Sequence, residues 1–212
     1  MFSRRLVSIM AYYPPLIIYD FFSIGIHASN PRQHFINVSC WNFHYIRRLL
    51  EVYFMAKYKS PGAYVELFGA IIYYGGLALL NVYNPKLELT RIESALGTII
   101  FIIGEMGNCY HHYLLAQLRK KKPVDDEYLS KDGKHVMPNG GLFDLVSTPH
   151  YTFEIMSWFG WCILNEWSLG SIAIFGASTI TLIIRSLQIH KRNINDFKKW
   201  PKHRKALIPF VF

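Results

Sequence analysis

Residues 168–184, SLGSIAIFGASTITLII, carry no charged side chain, and a helix crossing a hydrocarbon core needs about 17–25 mostly apolar residues. Apolar residues are bunched in the same way at about 7–26, 34–56, 62–83, 92–118 and 150–166, and the last run extends over 168–190. A soluble domain would distribute them periodically along amphipathic elements. The expected fold is therefore all-α: a single polytopic membrane domain over residues 1–212, with about six transmembrane helices and an amphipathic C-terminal segment. The first, second and fourth runs contain polar residues and fall short on hydropathy alone.

Charge supports this count independently. The net charge is +9, and six spans with both ends on one side leave only Arg32, Lys86 and Arg91 of the 23 basic residues on the opposite side. That asymmetry is the positive-inside signature. It accounts for the basic balance through the membrane surface, so no nucleic-acid partner is needed. Membrane lipids are the first expected partner. Cys40, Cys109 and Cys162 all lie in apolar runs and read as free packed thiols. The N-terminal MFSRRLVSIM reads as a charge anchor for the first helix or as a minimal mitochondrial-type address.

Pro14-Pro15 should bend or interrupt the first span. Asn30-Pro31, Ser60-Pro61-Gly62 and Asn84-Pro85 mark turns. The longest loop, 119–149, contains KKKPVDDEYLSKDGKH and then Asn139-Gly140-Gly141. Its glycines permit a tight turn whose backbone N–H groups can meet a phosphate, while a plain solvated loop is the simpler reading. The basic C-terminal stretch HKRNINDFKKWPKHRKALIPFVF is expected to lie along the headgroups, either as an anchor or as a cationic cover over an anionic cofactor.

Polar residues inside membrane spans are expensive and mark functional sites by default. Asn108, His112 and Arg119 fall on one helical stripe of the fourth run. Tyr45 and Arg48 sit in the second run, Tyr151 and Glu154 open the fifth, and Arg185 and His190 close the sixth. The expectation is that these groups gather near one membrane surface. Arg48, Arg119, Arg185 and Arg204 suit phosphates by geometry and permanent charge. Asn108 and Glu154 can hold an amide or a ribose hydroxyl, and Tyr151 or Tyr45 can supply a proton. Such a set suits nicotinamide-dependent reduction of a double bond, without a Rossmann unit because no GxGxxG is present. His111-His112 lacks the companion histidines of a di-metal site, so no metal is expected. His44 and His111 read individually as packed or interfacial residues rather than ligands.

HYIRRLLE (44–51), Gly107-Asn108 with His112 and Arg119, NGGLFDLVSTPHYTFEIMSWFGW (139–161) and FKKWPKHRKALIPFVF (197–212) resemble the steroid 5α-reductase superfamily. The closest branch is the very-long-chain trans-2-enoyl-CoA reductases. The ubiquitin-like N-terminal domain common in that branch has no counterpart in these residues. The resemblance implies NADPH as cofactor and an enoyl-CoA or other enone lipid as substrate, at the endoplasmic reticulum membrane. It assigns Tyr151 to catalysis and Asn108, Arg119, Glu154 and Arg204 to the cofactor pocket, and it matches Tyr45 and Arg48 to the tyrosine and arginine of the second-helix motif. The residue pattern itself adds Tyr45 as a catalytic candidate and His112, Arg48, Arg185 and His190 as cofactor-pocket candidates. The sequence departs from the family pattern in four places, one being the aromatic or basic residue usual just before the PNGG turn, weakened here to His135-Val136. His150 stands where asparagine is usual, Asn193 where tyrosine is usual, and Arg47 where enoyl reductases commonly have lysine. These departures motivate a competing reading: a catalytically silent member that contacts lipid and partner subunits in a membrane assembly, with the mitochondrial inner membrane as the alternative location.

Overall fold

The computed structural model describes residues 2–24, 30–55, 61–82, 88–119, 128–133 and 135–211. These residues form six α-helices: α1 (Arg4–Ile24), α2 (Pro31–Phe54), α3 (Tyr64–Val82), α4 (Arg91–Leu118), α5 (Pro149–Leu164) and α6 (Leu169–Asp196). A two-residue antiparallel ladder joins Phe2–Ser3 to Pro61–Gly62. The Asn84-Pro85 turn, Ser60 and the basic residues Lys57, Lys59, Lys86, Lys120, Lys121, Lys122 and Lys134 lie outside the described residues.

Of these helices α1, α3, α4 and α6 are long and apolar enough to cross a membrane. The expected count of six is thus met by four helices on length and composition. α5 has only 16 residues, and α2 has 24 but is diluted by polar side chains. The distribution of exposure is inverted relative to a soluble protein. Ile24, Phe35, Phe54, Val65, Ile72 and Ile92 project outward, while Gln33, Asn37, Glu51, Asn81, Glu105 and Asn108 are buried. Only an apolar solvent makes that arrangement favourable. The chain is an integral membrane protein.

Two local expectations resolve in physical terms. Asn30 caps α2, its Oδ1 accepting from the Gln33 amide at 3.1 Å with Pro31 in the first turn, where a missing N–H costs nothing. Pro14 and Pro15, by contrast, do not interrupt α1, which runs unbroken through both. Burial of Pro15, Leu16 and Tyr19 holds that segment in place, and Trp41 donates its indole N–H to the Pro15 carbonyl at 3.1 Å.

The chain forms two compact units, Met1–Ile102 with Ser157–Gly176 and Ile103–Met156 with Ala177–Phe212. The first has an aromatic core. Tyr19 stacks on Trp41 at 4.4 Å, and Trp41 also meets Tyr45 at 4.8 Å and Trp161 at 5.2 Å. Its buried amides pair with each other. Asn37 accepts from Gln33 and donates to Asn165 Oδ1 at 3.1 Å, and Asn81 donates to the Gly170 carbonyl and accepts from Trp161 Nε1 at 2.8 Å. This satisfies groups that would otherwise cost several kcal/mol each in hydrocarbon. At Gly170 the start of α6 presses against α3, where an added Cβ would come 2.2 Å from the Leu80 carbonyl oxygen.

The second unit is held together by its C-terminal segment, which the sequence suggested would lie along the headgroups. After α6 the backbone pairs with residues 145–147. The Lys205 amide donates to the Leu145 carbonyl at 2.9 Å and the Ser147 amide to the Lys205 carbonyl at 2.8 Å. Arg204, Ala206 and Leu207 are buried by this pairing.

Gly170→Ala should therefore destabilise the protein by about 1–3 kcal/mol or more through overpacking. Gly176→Ala, in the same helix with nothing within 4 Å of the added methyl, should be neutral or stabilise by up to about 1 kcal/mol. Thermal unfolding in detergent compares the two.

Candidate functional site

In the second unit, Asn108 links α4 to the start of α5. Its Nδ2 donates to the His150 carbonyl at 2.7 Å and to Glu154 Oε2 at 3.3 Å. Asn108 is fully buried and Glu154 is half-buried, so the amide orients the carboxylate rather than both waiting on a ligand. Because the main-chain carbonyl of His150 makes the shorter bond, histidine can stand there without disturbing it. The approach of α5 to α4 is close: a Cβ on Gly107 would meet the Phe153 ring at 2.3 Å.

Tyr151 follows at the same end of α5, half-buried, with its ring 4.3 Å from that of His150. His112 lies edge-on to His150 at 5.0 Å. Asn108, His112, Tyr151 and Glu154 thus come together around His150, as the stripe on α4 suggested. Of the other predicted contacts, Arg119 just after α4 and Arg185 on α6 are both exposed.

His190 and Arg204 belong to the apparatus that fastens the C-terminal segment. Ser147 Oγ lies 2.6 Å from His190 Nδ1. Thr148 Oγ1 donates to the Ala206 carbonyl at 2.9 Å, leaving Ser186 Oγ, 2.7 Å away, to donate to it. Thr152 donates to the Leu207 carbonyl at 2.6 Å. Arg204 donates from Nη1 to the Pro138 carbonyl at 2.7 Å, lies 3.6 Å from Asp144 and covers the Trp200 ring at 5.1 Å. Burial pulls its pKa below the ordinary guanidinium range, Asp144 and Tyr128 oppose that, and it stays charged at neutral pH.

Arg204 Nε and Trp200 Nε1 are both buried with no acceptor among the described residues. Buried donors are ordinarily satisfied. Two such donors beside one cation fit an oxygen-rich anionic ligand such as the phosphate and ribose groups of a dinucleotide. The glycine turn fits that ligand less well than its sequence suggested. The Gly140 amide is taken by Asp144 Oδ1, that of Leu142 by His111 Nε2 and that of Phe143 by the Gly140 carbonyl.

Tyr45 and Arg48 belong to the first unit. Tyr45 is buried beside His44 at 4.9 Å. Arg48 donates to Glu51 Oε2 at 2.5 Å and to the Tyr12 hydroxyl at 2.8 Å. Arg47 pairs with the other oxygen of Glu51. The HYIRRLLE motif therefore contains an ionic triad in which Arg47 and Glu51 are buried and Arg48 is partly so, and the departure at Arg47 has a structural partner four residues on. Asn193, a further departure, is buried on α6.

Some buried or bonded polar residues of these elements escaped the sequence reading. Glu105 is completely buried in α4, and its position one turn before Asn108 was the available signal. The hydroxyls of Ser147, Thr148, Thr152 and Ser186 gave none, because their partners are carbonyls far along the chain.

Residues 65–212 match the family described as 3-oxo-5-alpha-steroid 4-dehydrogenase. The chain belongs to that family. It is 33% identical over 200 residues to the pig 3-oxo-5-alpha-steroid 4-dehydrogenase 2, covering 89% of this chain and 74% of the relative. The human protein of the same name is 31% identical over 199 residues, covering 89% and 74%. A very-long-chain enoyl-CoA reductase of Dictyostelium discoideum is 33% identical over 222 aligned positions, covering 99% of this chain and 70% of the relative. Relatives named for two different substrates are thus equally similar to it, and family membership alone does not choose between them.

Thr148→Val keeps the shape and removes the hydroxyl bonded to Ser186 and Ala206, so it should cost about 1–3 kcal/mol. Limited proteolysis should then release the segment after Asp196 faster than in the unmodified protein.

Proposed function

We propose that this family member is a membrane reductase that uses NADPH to reduce the double bond of an α,β-unsaturated lipid, with a trans-2-enoyl-CoA as the substrate class. The observation that carries the reading is the pair of buried N–H donors on Arg204 and Trp200, beside a permanent cation and within the same unit as Tyr151. NADPH, when bound, would supply the hydride. Arg204 and Trp200 would hold its phosphate and ribose oxygens. Asn108 and Glu154, already bonded to each other, would present a fixed carboxylate and amide oxygen to its polar groups, with His112 and His190 at their margins. Arg119 and Arg185, exposed on their helices, would add long-range attraction for a polyanion.

Tyr151 would donate the proton that completes the reduction. A phenol in a half-buried apolar setting can act as a general acid, and its ring is fixed against His150. Tyr45 and Arg48 match the second-helix motif of the family, and their contribution is tested separately. The enoyl-CoA reading of the substrate rests on the Dictyostelium relative and on the HYIRRLLE and His112 motifs; a sterol-like enone is the other outcome of a substrate screen.

We extend the same reading to six membrane crossings. α2 buries Gln33, Asn37, His44, Arg47 and Glu51 while exposing Phe35, Phe43, Ile46, Leu50 and Phe54, so its polar content is internal. At ~1.5 Å per residue its 24 residues exceed the ~30 Å of a hydrocarbon core. α5 exposes only Phe159 and would cross sheltered by protein. The endoplasmic reticulum is the membrane in which we place the protein, and the mitochondrial inner membrane is the alternative that imaging of a tagged chain would reveal.

Purified protein in detergent should oxidise NADPH only when a trans-2-enoyl-CoA is present. Tyr151→Phe should lower kcat by about 10²–10⁴-fold, the range for loss of a general acid, with NADPH affinity within threefold of the unmodified protein. Unchanged turnover in Tyr151→Phe would remove Tyr151 from the reaction, and a full loss in Tyr45→Phe alone would assign the proton to Tyr45.

A further inference from the structure

His111 has no part in the reaction scheme, and its surroundings are more exacting than packing alone requires. The ring is 3% exposed. It stacks on Phe153 with centroids 5.2 Å apart and meets Phe143 edge-on at 5.5 Å. Nδ1 lies 2.7 Å from the Gly107 carbonyl and Nε2 lies 3.1 Å from the Leu142 amide nitrogen. A backbone amide can only donate, so Nε2 presents its lone pair and Nδ1 carries the proton that it gives to Gly107. Both contacts demand the same neutral tautomer.

The amide held in this way follows a bend made by two glycines. Gly140 and Gly141 have φ of +85° and +55°, where L side chains are strained. A Cβ on Gly141 would stand 2.8 Å from His111 Nε2 and 3.0 Å from the Tyr110 ring, so a bare backbone is what lets the imidazole reach Leu142. The far side of the same bend presents the Pro138 carbonyl to Arg204 Nη1 at 2.7 Å and places Asp144 3.6 Å from Nη2. Asp144 also accepts from the Gly140 amide at 3.2 Å. Bend and guanidinium therefore share their fixings.

We propose that His111 is a positioning residue: it pins the Asn139-Gly140-Gly141 bend through the Leu142 amide, and through Pro138 and Asp144 it sets the direction in which Arg204 points its remaining N–H. This rests on the reading of Arg204 as a contact to the phosphorylated cofactor. With the acceptor removed, the Leu142 amide loses its partner inside the protein and the bend loosens. Arg204 then keeps its charge but loses its aim.

Two substitutions separate the pin from simple packing. His111→Phe keeps an aromatic ring between Phe143 and Phe153 and removes the acceptor. His111→Gln gives up the ring and keeps an amide that can donate to Gly107 and accept from Leu142. Hydrogen exchange of the full chain in detergent, without ligand, reads the bend directly, and equilibrium binding of NADPH to the same samples reads its consequence. His111→Phe should speed exchange in the peptide spanning 139–145 by roughly tenfold and weaken NADPH binding by roughly tenfold. His111→Gln should stay within about threefold of the unmodified protein on both readings.

The reverse ranking, with Phe benign and Gln damaging, would overturn the pin in favour of packing, as would unchanged exchange in His111→Phe. Faster exchange with unchanged NADPH affinity would overturn the link to Arg204. Faster exchange in a protein that does not bind NADPH even unmodified would leave the pin standing and overturn the cofactor reading instead. If His111→Phe does not fold, Gly141→Ala pushes a methyl against Nε2 with His111 retained, and the same readings apply.

Discussion

Hydrocarbon offers no hydrogen bonds, so every amide, hydroxyl and carboxylate that this chain carries into its spans must find a partner within the protein. That constraint explains the inversion of its surface. Phe35, Ile72 and Ile92 face outward while Gln33, Asn37, Asn81 and Asn108 turn inward. It also explains why the buried amides occur as bonded sets. Asn37 with Asn165 and Asn81 with Trp161 hold the first unit, and Asn108 with His150 and Glu154 holds α4 to α5 in the second.

The same constraint gives the second unit its working parts. The loop after α4 and the segment after α6 are irregular, so their backbone groups depend on one another and on side chains. Thr148 and Thr152 take the carbonyls of Ala206 and Leu207, and Arg204 takes that of Pro138. Most donors are satisfied in this way. Arg204 Nε and Trp200 Nε1 are buried without an acceptor among the described residues and lie beside each other, a guanidinium over an indole ring, which is the basis for proposing them as ligand contacts.

Much of the fold was legible in the sequence because span length and charge asymmetry are one-dimensional signals. The six expected runs match the six helices closely, and the α4 stripe led correctly to Asn108 and His112 meeting the start of α5. α2 was harder to read, since hydropathy averages its buried polar face with its exposed apolar one. The fastening of the C-terminal segment was invisible, because it is made by main-chain carbonyls that have no residue identity. His111 read as a packed residue, which its rings bear out, but its bond to Leu142 depends on a bend set by two positive φ angles. Arg119 and Arg185, placed with the site by helical spacing and by the end of the sixth run respectively, are both exposed.

We propose that the buried donors of Arg204 and Trp200 in the second unit hold a phosphorylated dinucleotide. The most direct measurement is a structure of the full chain in lipid nanodiscs at saturating NADPH. The account predicts dinucleotide density with its phosphate or ribose oxygens within hydrogen-bond distance of Arg204 and Trp200. Lipid acyl density in that place, or NADPH bound elsewhere on the protein, would contradict it.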